Sequence, residues 1–150
     1  PLETFAQYSG LSTAEEVNPH YLTPKQGLVR LQKIMDEYAG GTSAWYTTNG
    51  PTLQRGIELI EMLRADLQHL AARNQHELLR CWELSHRTWV GEAHMRHMLF
   101  RQETRWPGYY YRADFPALDD ANWRVFVNSH YDAANNRWEL VTRPYIHVVT

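Results

Sequence analysis

Apolar residues recur at three- and four-residue spacing through three stretches of the chain, then alternate near its end. The first stretch opens at Thr23, where Thr23 and Gln26 have capping-box spacing and Pro24 occupies the first helical position. Leu28, Leu31, Met35 and Tyr38 form one stripe behind that start, and Gly40-Gly41 closes it. A second helix is predicted just after Asn49-Gly50-Pro51, with Leu53, Ile57, Ile60, Leu63, Leu67 and Leu70 on its inner face. Arg55, Glu58, Glu61 and Arg64 are expected on the wet side. After a break at Arg73-Asn74, a third helix is predicted from about Gln75 to Arg101, with Asn74 and Glu77 again at capping-box spacing. Gly91 in its middle weakens it and points to a kink or a close packing contact.

The pattern changes after Arg101. Residues 102–122 read as a loop, punctuated by Pro107-Gly108 and Pro116. Val125, Val127 and Tyr131 alternate with Phe126, Asn128 and His130, Asp132–Asn136 forms a turn, and Trp138, Leu140 and Val141 begin a return strand. The expected fold is therefore mainly α, a spectrin-repeat-like three-helix bundle followed by a C-terminal β-hairpin. It forms one domain over residues 1–150: an irregular lead-in over about 1–22, three helices over 23–101, a loop over 102–122 and the hairpin over 123–150.

A length of 150 residues suffices for one buried core. Six Trp and nine Tyr are many for that length, and such rings hint at a surface buried against something else. A net charge of −2 offers no basic footprint for nucleic acid. No apolar run approaches the ~20 residues of a membrane-spanning helix, and no signal peptide opens the chain. A single cysteine, Cys81, can neither close an internal disulfide nor ligate an iron–sulfur cluster, and a reducing, cytoplasmic setting is expected. Starting at Pro1 without Met suggests a cut from a longer protein.

Chemistry-bearing motifs are scarce. There is no G-x-G-x-x-G after a strand, no P-loop and no H-E-x-x-H. Glu83 and His86 form one E-x-x-H pair, but a di-iron bundle needs a second pair and further inward carboxylates. His94 and His97 share a helix face, yet two imidazoles under-ligate a metal, so they read as surface or interface histidines. His76 and His86 each lie five residues from Cys81, off its face, so the thiol reads as a small buried hydrophobe. No catalytic, cofactor-binding or metal-binding residue is assigned. The unusual segment is Arg101–Arg112, where Arg and aromatic residues interleave. That composition suits a protein–protein contact better than base stacking, given the near-neutral charge. Glu103, Arg105, Trp106, Tyr109, Tyr110 and Arg112 are the expected interdomain docking residues.

The same segment carries a resemblance. Thr104-Arg105, Arg112-Ala-Asp-Phe-Pro116 and Asp119-Asp-Ala-Asn-Trp123 resemble the E-S-R-G-A-H-x-R-E-D-[YF]-P…D-D-x-x-W signature. That signature closes the helical C-terminal domain of the succinate dehydrogenase and fumarate reductase flavoprotein superfamily. Here Arg105-Trp-Pro-Gly-Tyr-Tyr-Tyr-Arg112 replaces R-G-A-H-x-R, two residues longer and without the His. With Leu70-Ala-Ala-Arg-Asn-Gln-His-Glu-Leu-Leu-Arg-Cys-Trp-Glu-Leu84, Asn18-Pro-His-Tyr21 and Leu31-Gln-Lys-Ile-Met-Asp-Glu-Tyr38, that variant is similar to one branch, the alpha subunits of dissimilatory adenylylsulfate reductases.

The resemblance implies a parent oxidoreductase interconverting adenylylsulfate with sulfite and AMP, in which this chain is a structural, docking piece with no activity alone. It implies FAD in the parent alpha subunit, and a ferredoxin-like beta subunit with two [4Fe–4S] clusters as partner. The flavin-binding domain of the same parent chain would be the other partner. The alternative reading is a stand-alone, aromatic-rich protein-binding module.

Overall fold

The computed structural model describes residues 21–105 and 110–146. Most of the expected lead-in therefore lies outside the described residues, as do Trp106 and Tyr109 of the expected docking set. Three long helices form the bundle: α1 (Pro24–Tyr38), α2 (Gly50–Asp66) and α3 (Gln75–Phe100). The capping box at Thr23 is complete. Its hydroxyl accepts the Gln26 N–H at 3.3 Å, and the Gln26 side chain accepts the Thr23 N–H at 2.9 Å. Only half of the second one forms. Asn74 accepts the Glu77 N–H, but the Glu77 carboxylate turns to Arg73, taking its backbone N–H at 2.8 Å and its guanidinium at 2.7 Å.

The α2 stripe packs as its spacing predicts, with Leu53, Ile57, Ile60, Leu63, Leu67 and Leu70 all buried. Leu70 itself lies beyond the helix, in extended backbone that bridges to Leu22. On α3 the core face runs through Cys81, Leu84, Thr88, Gly91, Met95 and Met98, while Leu79 and Trp82 point to solvent. Gly91 marks a close helix contact: a Cβ there would meet Ile60 Cδ1 and Met35 Sδ, both at 3.1 Å.

After α3 the described residues form more than a loop. β1 (Thr47–Thr48) and β2 (Tyr111–Arg112) pair in parallel, tying the α1–α2 connection to the segment behind α3. A short helical turn, α4 (Asp120–Trp123), leads into the hairpin of β3 (Val125–Asp132) and β4 (Arg137–Pro144), in the register Val125↔Pro144 to Asp132↔Arg137. The hairpin leans on α3 through Trp89, whose ring lies 4.6 Å from that of Tyr131.

Candidate functional site

The C-terminal end of α3 is where Glu103, Arg105, Tyr110 and Arg112 of the expected docking set converge. A helix end leaves its last carbonyls without intrahelical partners and carries partial negative charge. Arg112, 1% exposed, supplies both a cation and donors: Nη1 donates to the carbonyls of Met98, Leu99 (3.4 Å) and Arg101 (2.9 Å). The Tyr110 hydroxyl also donates to the Met98 carbonyl, at 3.2 Å. Thr104 locks the crossing chain, accepting the Arg112 N–H at 3.0 Å and donating to the Phe115 carbonyl at 2.9 Å.

Beside it, Glu103 is completely buried among cations. Arg101 reaches it at 2.5 Å, Arg105 at 2.7 and 3.0 Å, and the Asp119 N–H at 3.1 Å. Burial works to raise the Glu103 pKa, but hydrogen bonds from Arg105, Asp119 and Arg101 outweigh it and hold the carboxyl below its ordinary range. Both arginines also donate to the Trp123 carbonyl, and Arg101 donates to that of Val125, which fixes where the hairpin begins.

Of the expected docking residues, Glu103 and Arg112 are thus buried inside the chain, whereas Arg105 and Tyr110 are partly exposed. Those two line a cleft of about 460 Å³ with Met98, His94, His97 and the Ala39-Gly40 end of α1. Burial lowers the pKa of both imidazoles, reinforced by the His97 neighbour for His94 and by Arg101 for His97, so both are neutral at pH 7. With its guanidinium groups engaged by Glu103 and Asp120, the cleft offers apolar surface and neutral hydrogen-bonding groups rather than a strong charge. That lining pairs no nucleophile with a base.

The other candidates resolve as structural groups. Glu83 pairs with Arg87, and the His86 ring packs on Trp82 at 5.3 Å. Cys81 is buried with its thiol pushed up to about 11, by burial and then by Glu77, so it is no nucleophile at neutral pH. Among the described residues no three His, Cys, Asp or Glu side chains gather as a metal would need, and no helix is long and apolar enough to cross a membrane. Sequence reading missed Asp114 and Arg101. Both sit in or beside the quoted motif, and only the fold shows that they face helix ends.

The fold and this helix-end brace define a class. The chain belongs to the fumarate reductase flavoprotein C-terminal family, whose model matches residues 29–149. Within that class it is similar to adenylylsulfate reductase subunit alpha of Megalodesulfovibrio gigas, 47% identical over 99% of this chain and 22% of the relative. It superposes on the adenylylsulfate reductase of Archaeoglobus fulgidus with a TM-score of 0.86 and 59% identity, over 99% of this chain and 23% of that one. Escherichia coli quinol fumarate reductase shares the fold alone, with a TM-score of 0.72 at 19% identity over 86% of this chain and 22% of that one. The chain spans under a quarter of the length of these relatives. Family membership favours a domain of a flavoprotein over a stand-alone binding module.

Proposed function

We propose that this chain is the C-terminal helical domain of the flavin-carrying alpha subunit of an adenylylsulfate reductase. That cytoplasmic enzyme interconverts adenylylsulfate plus two electrons with sulfite plus AMP. The observation carrying the reading is the match to the Archaeoglobus fulgidus enzyme, at 59% identity across 99% of this chain. A matching adenosine-5-phosphosulfate reductase structure holds sulfite as a covalent adduct, in keeping with the assignment of substrate class.

The flavin, as FAD, would sit in the part of the parent that precedes this domain. No strand–Gly-rich turn–helix unit among the described residues could cradle its phosphates, and one buried thiol cannot hold a cluster. The two [4Fe–4S] clusters belong on a ferredoxin-like beta subunit. This domain would contribute shape. The Arg105–Tyr110 cleft docks on the flavin-binding part, with Trp106 and Tyr109 falling between those two residues in the sequence, while Glu103 and Arg112 brace it from inside.

The test is to express the full-length alpha subunit with its beta subunit and measure flavin content and adenylylsulfate-dependent turnover. Both should be present in the complex, and turnover absent from residues 1–150 alone. A flavin-free, inactive complex would overturn the assignment. Arg105→Ala should lower flavin retention or subunit assembly; both unchanged would remove the docking role.

A further inference from the structure

The connection between α1 and α2 presents a feature that the docking cleft does not explain. Trp45 and Tyr46 are consecutive residues with φ of 53° and 56°, a left-handed backbone that bulky side chains rarely adopt. Trp45 is nevertheless 84% exposed, so no packing within the described chain compensates for that conformation. A strained turn persists only when its surroundings over-determine it, and here they do.

Asp36, on α1, accepts the Thr42 hydroxyl and the Ser43 N–H, both at 3.1 Å, and its own carbonyl accepts the Gly41 N–H. Gly41 is the residue the turn needs, because a Cβ there would fall 2.5 Å from the Asp36 Cα. On the far side the Tyr46 carbonyl accepts the Tyr111 N–H at 3.0 Å, which splices the turn to the segment carrying Tyr110 and Arg112. The indole is therefore displayed on a hydrogen-bonded turn that follows Gly40, a residue of the cleft wall. Seated in a pocket, such a ring removes about 200 Å² from water at little entropic cost, the profile of an interface anchor.

We propose that Trp45 is the anchor by which this domain seats in an apolar pocket on the preceding, flavin-binding part of the same polypeptide. The relatives that match 99% of this chain are more than four times its length, so a large tethered body is at hand, and a tether favours the intramolecular contact. The proposal rests on the domain reading above and adds the residue and the surface.

The experiment uses the full-length protein, assembled with its beta subunit, carrying a photoreactive benzoylphenylalanine at position 45. Irradiation and peptide mass spectrometry should link position 45 to a segment of the same chain upstream of this domain. In the unsubstituted complex, hydroxyl-radical labelling of Trp45 should be several-fold slower than that of an open indole. Trp45→Ala should lose flavin more readily, and Trp45→Phe should retain it. A link to the beta subunit or to a second copy, or free labelling of Trp45 in an active, flavin-loaded complex, overturns the anchor while leaving the domain reading intact. A complex without flavin or turnover would overturn that reading instead.

Discussion

Arg112 and Asp114 form a forked ion pair that joins the ends of two different helices. Nε and Nη2 of Arg112 donate to the two Asp114 oxygens, both at 2.8 Å, while Nη1 covers the last carbonyls of α3. Asp114 Oδ2 in turn accepts the Gly50 N–H, the first of α2, at 2.8 Å. Each helix end meets a charge opposite to its own dipole. Removing the guanidinium leaves three carbonyls at the end of α3 without their donor and the partly exposed Asp114 carboxylate without its cation. Arg112→Ala should therefore cost about 3–5 kcal/mol, read by urea unfolding. Arg112→Lys should not restore it, since an ammonium cannot fork to Asp114 and reach the helix end together.

Acid should destabilise the fold in two windows. His94 and His97 have folded pKa values depressed below 6.5, so their neutral forms are favoured in the fold and stability falls as pH drops below about that value. Asp114 is held at about 2, chiefly by Arg112, against an ordinary 3.8. Its contribution is complete above about pH 4 and is lost as pH falls towards 2. After allowance for solvent at this partly exposed group, that contribution is about 1–2 kcal/mol. Asp114→Asn should make the lower window shallower, leaving the part that Glu103 contributes, and leave the upper one unchanged. Unfolding midpoints at pH 7, 5 and 2.5 separate the two, and an unchanged lower limb in the variant would contradict the assignment.

The helices were legible in the sequence because their signals are local. The Thr23 and Asn74 caps lie within one turn of the N–H groups they bind, and the apolar repeat from Leu53 to Leu63 on α2 is set by neighbours three and four residues apart. The core face of α3 was harder to read, since Thr88, Gly91 and Glu92 interrupt it and Leu79 and Trp82 compete for it. Glu92 shows why. It is buried because Arg64 and Arg96 neutralise it, and Arg64, expected on the wet side of α2, lies half-buried over the Trp89 ring at 3.6 Å. The docking segment was recognisable by composition, but composition could not separate Glu103 and Arg112, which turn inward, from Arg105 and Tyr110. That division is set by contacts from Asp114, Met98 and Asp119, at separations of up to 16 residues.

Gly56 and Gly91 should differ in their tolerance of a methyl group. At Gly56 a Cβ would lie 2.7 Å from the Tyr38 Cβ, close to rigid backbone, and 2.7 Å from Met95 Sδ. At Gly91 the nearest atoms are the ends of Ile60 and Met35, at 3.1 Å, which can rotate away. Gly56→Ala should destabilise by about 1–3 kcal/mol. For Gly91→Ala, about 1 kcal/mol of helix propensity offsets the milder crowding, leaving a change near zero. Thermal unfolding of the two variants side by side checks the order, and equal losses would contradict it.

The hairpin depends on one aromatic cluster for its attachment. A two-stranded hairpin is marginal alone, and much of this one faces solvent. Its inward rings, Tyr131 and Trp138, lie 5.2 Å apart and pack at 4.6 and 6.3 Å from Trp89 of α3. Trp89 is held in turn by the Arg64 guanidinium, which Glu92 keeps in place. Trp89→Ala should therefore release β3 and β4 while α2 and α3 persist, with a local cost of about 3–5 kcal/mol. Amide exchange should show lost protection at Val127 to Tyr131 with protection retained at Ile57 to Leu63. Trp89→Phe keeps a ring on the cluster and should recover most of the hairpin's protection. Were the strands to stay protected in Trp89→Ala, the tether would instead be the contacts that remain, namely the arginine bonds to the Trp123 and Val125 carbonyls, the Phe100–Trp123 ring pair and Arg96 over Trp138.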